Sequence, residues 1–77
     1  MMAQKNIEVF KTNLQEAAEA DKILKLLHRQ FPHYHANIDL SDCDKILRIE
    51  CRSGTVDEIV IKKLISEAGY ISEVLQG

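Results

Sequence analysis

Tryptophan is absent from this 77-residue chain, which holds only two tyrosines, two phenylalanines, two cysteines, three glycines and one proline. So few rings cannot build the stacked aromatic platform on which single-stranded nucleic acid is bound. Charge of one sign is lacking too: ten basic against twelve acidic residues leave a formal charge of −2. A nucleic-acid binder working through phosphates would show a basic surplus or stripe. No stretch approaches the ~18 unbroken apolar residues of a membrane span, and the N-terminus has no basic, apolar, small-residue signal layout. The expected compartment is the cytoplasm.

Cysteine usage agrees with that. With Cys43 and Cys51 separated by a turn and a strand, their Cα atoms stand roughly 20–25 Å apart at about 3.3 Å per residue. A disulfide needs less than about 7 Å. Both are expected as reduced thiols. The length suits a single domain over residues 1–77, since one core serves ~50–200 residues. The 45% apolar fraction can supply that core, and the 29% charged fraction can cover it.

The order of elements can be read from periodicity. Ile7 and Val9, with Phe10 beside them and Lys5, Glu8 and Lys11 around them, predict a strand of about six residues. Asn13 stands three residues before Glu16, the spacing of a capping box. Ala20, Ile23, Leu24, Leu27 and Phe31 then recur at helical spacing, and Pro32 ends the helix. Tyr34, Ala36, Ile38 and Leu40 alternate with His33, His35, Asn37 and Asp39. The polar segment Ser41 to Lys45 predicts a hairpin connection. Leu47, Ile49 and Cys51 alternate with Arg48, Glu50 and Arg52 before a break at Ser53 and Gly54. Thr55 and Glu58 repeat the capping-box spacing, and Val60, Ile61, Leu64, Ile65 and Ala68 mark a second helix. Gly69 is its expected left-handed stop, and Tyr70 to Leu75 predict a last short strand. The fold class is therefore α+β. The order βαββαβ predicts a ferredoxin-like, four-stranded antiparallel sheet with both helices on one face.

In that arrangement the chain resembles the heavy-metal-associated domain of copper chaperones and P-type transport ATPases. Ile61-Lys62-Lys63-Leu64-Ile65-Ser66-Glu67-Ala68-Gly69-Tyr70 is similar to the family's second helix with its Ala-Gly-Tyr ending. Ile38-Asp39-Leu40 is similar to the Val-Asp-Leu end of its second strand. Leu14 stands where the family has the Met of Gly-Met-Thr-Cys-x-x-Cys, and Ile23, Leu26 and Leu27 match apolar positions of its first helix. That register sets Glu16 and Glu19 at the family's two metal-binding cysteines and Asn13 at its glycine. Thiolates hold copper(I) because they are soft; carboxylates are hard and have the wrong preference. The family's soft-metal carriage is not expected here.

Several residues admit a sharper and a plainer reading. Glu16 and Glu19, with Asp42 and Asp44, offer hard oxygen ligands, yet acids also favour a helix start by ~0.3–1 kcal/mol each. Calcium needs six to eight oxygens in a shaped cage. His33 and His35 share a strand face and form a two-ligand pair, short of a closed zinc site. Cys43 is an exposed thiol whose neighbours Asp42 and Asp44 disfavour the thiolate, and Cys51 is expected in the core. The resemblance implies Tyr70 over the loop at Leu14, and ordinary packing is the preferred reading for it.

No glycine-rich phosphate loop, nucleophile elbow or closed metal site is present, so catalysis is not expected and no cofactor is called for. Acylphosphatase shares the fold but needs an arginine in a glycine-bearing cradle, and Lys11-Thr12-Asn13-Leu14 supplies neither. The leading expectation is a protein-interaction or regulatory module presenting Asn13, Leu14, Glu16, Glu19, Asp42, Cys43, Asp44 and Tyr70 to a protein with a basic surface. Metal binding or metal-transport association through carboxylates or histidines is the alternative. Self-association through an unpaired sheet edge is a third.

Overall fold

Leu47, Ile49 and Cys51 alternate with Arg48 and Glu50, and this period of two sets them on one buried face of β3 (Ile46–Cys51). The computed structural model describes residues 6–52 and 54–75. Lys5 and Ser53, read above as a strand flank and part of a break, lie outside them. β3 is flanked by β1 (Ile7–Thr12) and β2 (Tyr34–Asp39), and the short β4 (Ser72–Val74) lies beyond β1. All pairings are antiparallel, in the order β2-β3-β1-β4. With α1 (Ala17–Gln30) and α2 (Glu58–Glu67), this is the expected ferredoxin-like βαββαβ arrangement.

The register defines the faces. Phe10 pairs with Leu47, and Ile38 pairs with Leu47 from the other side; Tyr34 and Ala36 face Cys51 and Ile49. This face joins Ile23 and Leu27 of α1 and Ile61, Leu64 and Ile65 of α2 in one buried cluster, so both helices cover the same side. Each fully buried Leu, Ile or Phe contributes about 1.5–3 kcal/mol. Removing Ile23 or Leu47 would therefore open a costly cavity.

The open face carries three cross-strand rows: His35–Glu50–Ile7, Asn37–Arg48–Val9 and Asp39–Ile46–Lys11–Glu73. Here the expectation for the first strand is corrected. Ile7 and Val9 lie half-buried on the open face, and Glu8, Phe10 and Thr12 form the covered one. A carboxylate on the core side, with apolar residues on both faces, hides the true phase of the alternation. Val60 is also displaced from the expected core and remains 37% exposed.

Both helix starts are corrected as well. α1 is capped by Glu16, paired with Glu19 in a capping box, three residues beyond the expected Asn13. α2 is capped by Asp57, whose carboxylate accepts the Ile59 and Val60 N–H groups. The stop at Gly69 stands as expected. Its φ is +97°, Gly69 N–H donates to Ser66 C=O, and Tyr70 N–H donates to Ile65 C=O. This pair of bonds is a Schellman termination.

Candidate functional site

Three connections meet at one end of the sheet because the strand ends are bonded to one another. Thr12 is buried where β1 runs out. Its N–H donates to Asp44 C=O (3.1 Å) and its hydroxyl donates to Lys45 C=O (2.7 Å). The same Thr12 oxygen accepts the Leu14 N–H at 3.3 Å. The β1–α1 loop is thereby tied to the hairpin. Asn13 ties it to the α2–β4 connection: its N–H donates to Ile71 C=O (3.3 Å), and its Oδ1 accepts the Ile71 N–H (2.9 Å).

Leu14 is fully buried, so it supports this end from beneath and does not present itself on the surface. Asn13, Glu16, Asp42 and Cys43 are exposed, and Glu19, Asp44 and Tyr70 are half-buried. The eight expected residues thus occupy one end, seven of them reaching the surface.

Glu19 organises the start of α1. Its Oε1 accepts the N–H groups of Gln15 (2.9 Å) and Glu16 (3.2 Å). The Gln15 bond, then the Glu16 bond and the Tyr70 hydroxyl, lower its pKa from the ordinary 4.5. Tyr70 shifts upward from 10.0, mainly through partial burial and then through the Glu19 charge. Tyr70 thus lies close to the Glu19 carboxylate, in the one neighbourhood expected for it and the acids.

The hairpin tip is shaped by its own acids. Asp44 N–H donates to Asp42 Oδ1 (2.8 Å), and Asp39 Oδ1 accepts both the Ser41 N–H (3.0 Å) and the Ser41 hydroxyl (2.6 Å). The Ser41 hydroxyl, then its N–H, lower the Asp39 pKa from 3.8. Lys45 takes a left-handed φ of 49° and sends its Nζ to Leu40 C=O at 3.0 Å. Lys11 Nζ stands 3.8 Å from Asp44 Oδ1. The ligand atoms of Asp42, Cys43 and Asp44 lie within 4.8 Å of one another, the one such triplet among the described residues. The Asp42 carboxylate is engaged in the turn, the Asp44 carboxylate faces Lys11, and Asp42 and Cys43 are exposed.

The histidines stand apart from this end's acids. His35 lies on the open sheet face opposite Glu50. His33 falls in the turn before β2, where its ring meets Tyr34 edge-on at 4.8 Å. The expectation that the pair shares a strand face is corrected by Pro32, which keeps the chain out of the sheet until Tyr34.

Residues not anticipated complete the site. Ile71 is 66% exposed beside Asn13. With Lys11, Thr12, Asn13 and Glu73 it lines a hollow of about 250 Å³ at the β1–β4 edge. The alternation Tyr70-Ile71-Ser72 carried a signal for Ile71, since it falls out of phase with Tyr70. Thr12 carried none, because its role depends on the hairpin reaching β1. No family model, curated protein or solved structure matches this chain.

Proposed function

We propose that this chain is a non-catalytic relative of the heavy-metal-associated domain that has lost its soft-metal site and serves as a protein-interaction module. One observation carries the reading: the carboxylates at the expected ligand positions are engaged in starting α1 as a capping box, Glu19 by two backbone N–H groups. A ligand pair awaiting an ion would leave its oxygens directed outward.

The partner face is formed by Asn13, Glu16, Glu19, Asp42, Cys43, Asp44 and Tyr70, with Ile71 as its exposed apolar residue. Acids around one large apolar side chain suit a protein surface with basic residues around an apolar recess. Such an association weakens as salt rises.

Two titrations followed by amide chemical shifts test this. Zinc, nickel and copper(I) are expected to leave the Asn13–Glu19 loop unshifted. A Lys/Arg-rich peptide with one central leucine is expected to shift Asn13, Glu16, Glu19 and Ile71 at low salt and to release them at high salt. Saturable metal shifts centred on Asp42, Cys43 and Asp44 would instead favour the metal-binding alternative, and peptide shifts scattered over the helices would remove the interaction face.

A further inference from the structure

The direction of the backbone groups along β2 follows from bonds elsewhere in the sheet. Cys51 N–H donates to Asn6 C=O, toward β1. Backbone groups alternate sides along a strand, so Ile46, Arg48 and Glu50 direct theirs toward β2, into His35, Asn37 and Asp39. Leu75 N–H reaching Val9 C=O confirms the same phase on the far side of β1. Ala36 and Ile38 therefore turn their N–H and C=O groups outward from the sheet. Tyr34 shares that phase, and its N–H is taken by Phe31 C=O at 2.9 Å.

This edge lacks most of the usual protections. β2 contains no proline, lysine or arginine and runs straight through six paired residues, whereas the opposite edge, β4, has three. Its side chains are also self-complementary. An antiparallel copy centred on Asn37 sets Ala36 against Ile38 of the copy, and Ile38 against its Ala36. Those are the residues with outward backbone groups, and both are half-buried on the covered face. On the open face the same centre sets His35 opposite Asp39, twice, with Asn37 against itself. Centring on Ala36 gives Asp39 only His33, which lies in the turn outside the strand. Centring on Ile38 sets Asp39 against Asn37 and leaves His35 beyond the paired strand.

We propose that β2 pairs antiparallel with β2 of a second copy about a two-fold axis at Asn37, joining two sheets through the Ala36 and Ile38 backbones and two His35–Asp39 contacts. The surface adjoins the acidic end at Asp39 and shares none of the residues of the partner face. A single shared strand edge buries little area, so the dimer belongs to the weak, concentration-dependent class.

Sedimentation equilibrium of the intact chain from micromolar to millimolar concentration is expected to show a monomer–dimer equilibrium. His35→Asp, an exposed substitution that sets carboxylate against carboxylate, is expected to weaken association about tenfold, and His35→Gln, which keeps a neutral donor opposite Asp39, to preserve it. Asn37→Cys, made together with Cys43→Ser to remove the exposed thiol, places identical cysteines in a non-hydrogen-bonded antiparallel pair with Cα atoms about 4.5 Å apart. It is expected to form a covalent dimer on mild oxidation. A monomer throughout the concentration range overturns the proposal. So does a dimer indifferent to His35→Asp, or one in which Asn37→Cys fails to cross-link.

Discussion

Asn13 and Ile71 grip each other reciprocally: the Asn13 Oδ1 accepts the Ile71 N–H while the Asn13 N–H donates to the Ile71 C=O. An asparagine side chain here does what one more rung of β1–β4 pairing would do, after the strands have diverged. Asn13→Ala is expected to destabilise the protein by about 1 kcal/mol and to speed hydrogen exchange at the Ile71 amide. Asn13→Asp, which keeps the acceptor, should recover most of the loss in urea unfolding.

Thr12 is the second tie. Its hydroxyl serves Lys45 C=O and the Leu14 N–H together, in a buried position. Thr12→Val keeps the shape and removes both bonds, so a loss of about 1–3 kcal/mol is expected, with Thr12→Ser much milder. Matched midpoint shifts without a change in the slope of urea unfolding would identify this as a native-state effect.

The carboxylate of Glu19 sets an acid limit. Its folded pKa lies below 4.5, so its contribution is complete above that pH and is lost as pH falls through the lower folded value. Asp39, lowered from 3.8, acts with the same sign. Thermal unfolding midpoints are expected to fall below about pH 4.5. Glu19→Gln should flatten the upper part of that decline and leave the Asp39 part. Tyr70 has the opposite sense: its folded pKa is raised, so its contribution is complete below pH 10.0 and declines as pH rises through the raised value.

The proposed register can be tested by installing the thiols it lacks. Glu16 is the N-cap residue of α1 and Glu19 its third helical residue, positions where a helix N-terminus stabilises thiolates. The double variant Glu16→Cys, Glu19→Cys is expected to bind copper(I) or zinc under reducing conditions far more tightly than the parent. Competition against a chelator measures it. A folded double variant no better than the parent would remove Glu16 and Glu19 from those positions.

Much of the fold was legible because β2, β3 and both helices each hide one apolar face. Ile49 and Leu47 could face only inward. The first strand was ambiguous, because Ile7, Val9 and Phe10 put large apolar residues on both faces and Glu8 sits on the covered one. The two false helix starts share a cause. Asn13 and Thr55 have N-cap chemistry at the right spacing, but each belongs to a tertiary contact: Asn13 bonds Ile71, and Thr55 C=O accepts the Tyr34 hydroxyl. Local pattern reading has no access to bonds between segments remote in sequence. Within the candidate site, the acids and Tyr70 were legible from the order of the elements, and Ile71 from its alternation with Tyr70, whereas Thr12 became visible only when the hairpin met the end of β1.

That closure bears on when the acidic end exists during folding. The bond between Asn13 and Ile71 spans 58 positions, and β4 adds only three paired residues to hold it. Contacts so remote in sequence form after the local hairpin of β2 and β3, because their loop-closure cost is met only once the rest has condensed. The same short strand is the natural first element to peel away in native-state fluctuations. When it does, Ile71 leaves Asn13 and Tyr70 parts from Glu19, while the Thr12 bonds keep the first loop on the hairpin. The apolar and aromatic part of the face, Ile71 and Tyr70, is thus in place only while β4 is closed on β1.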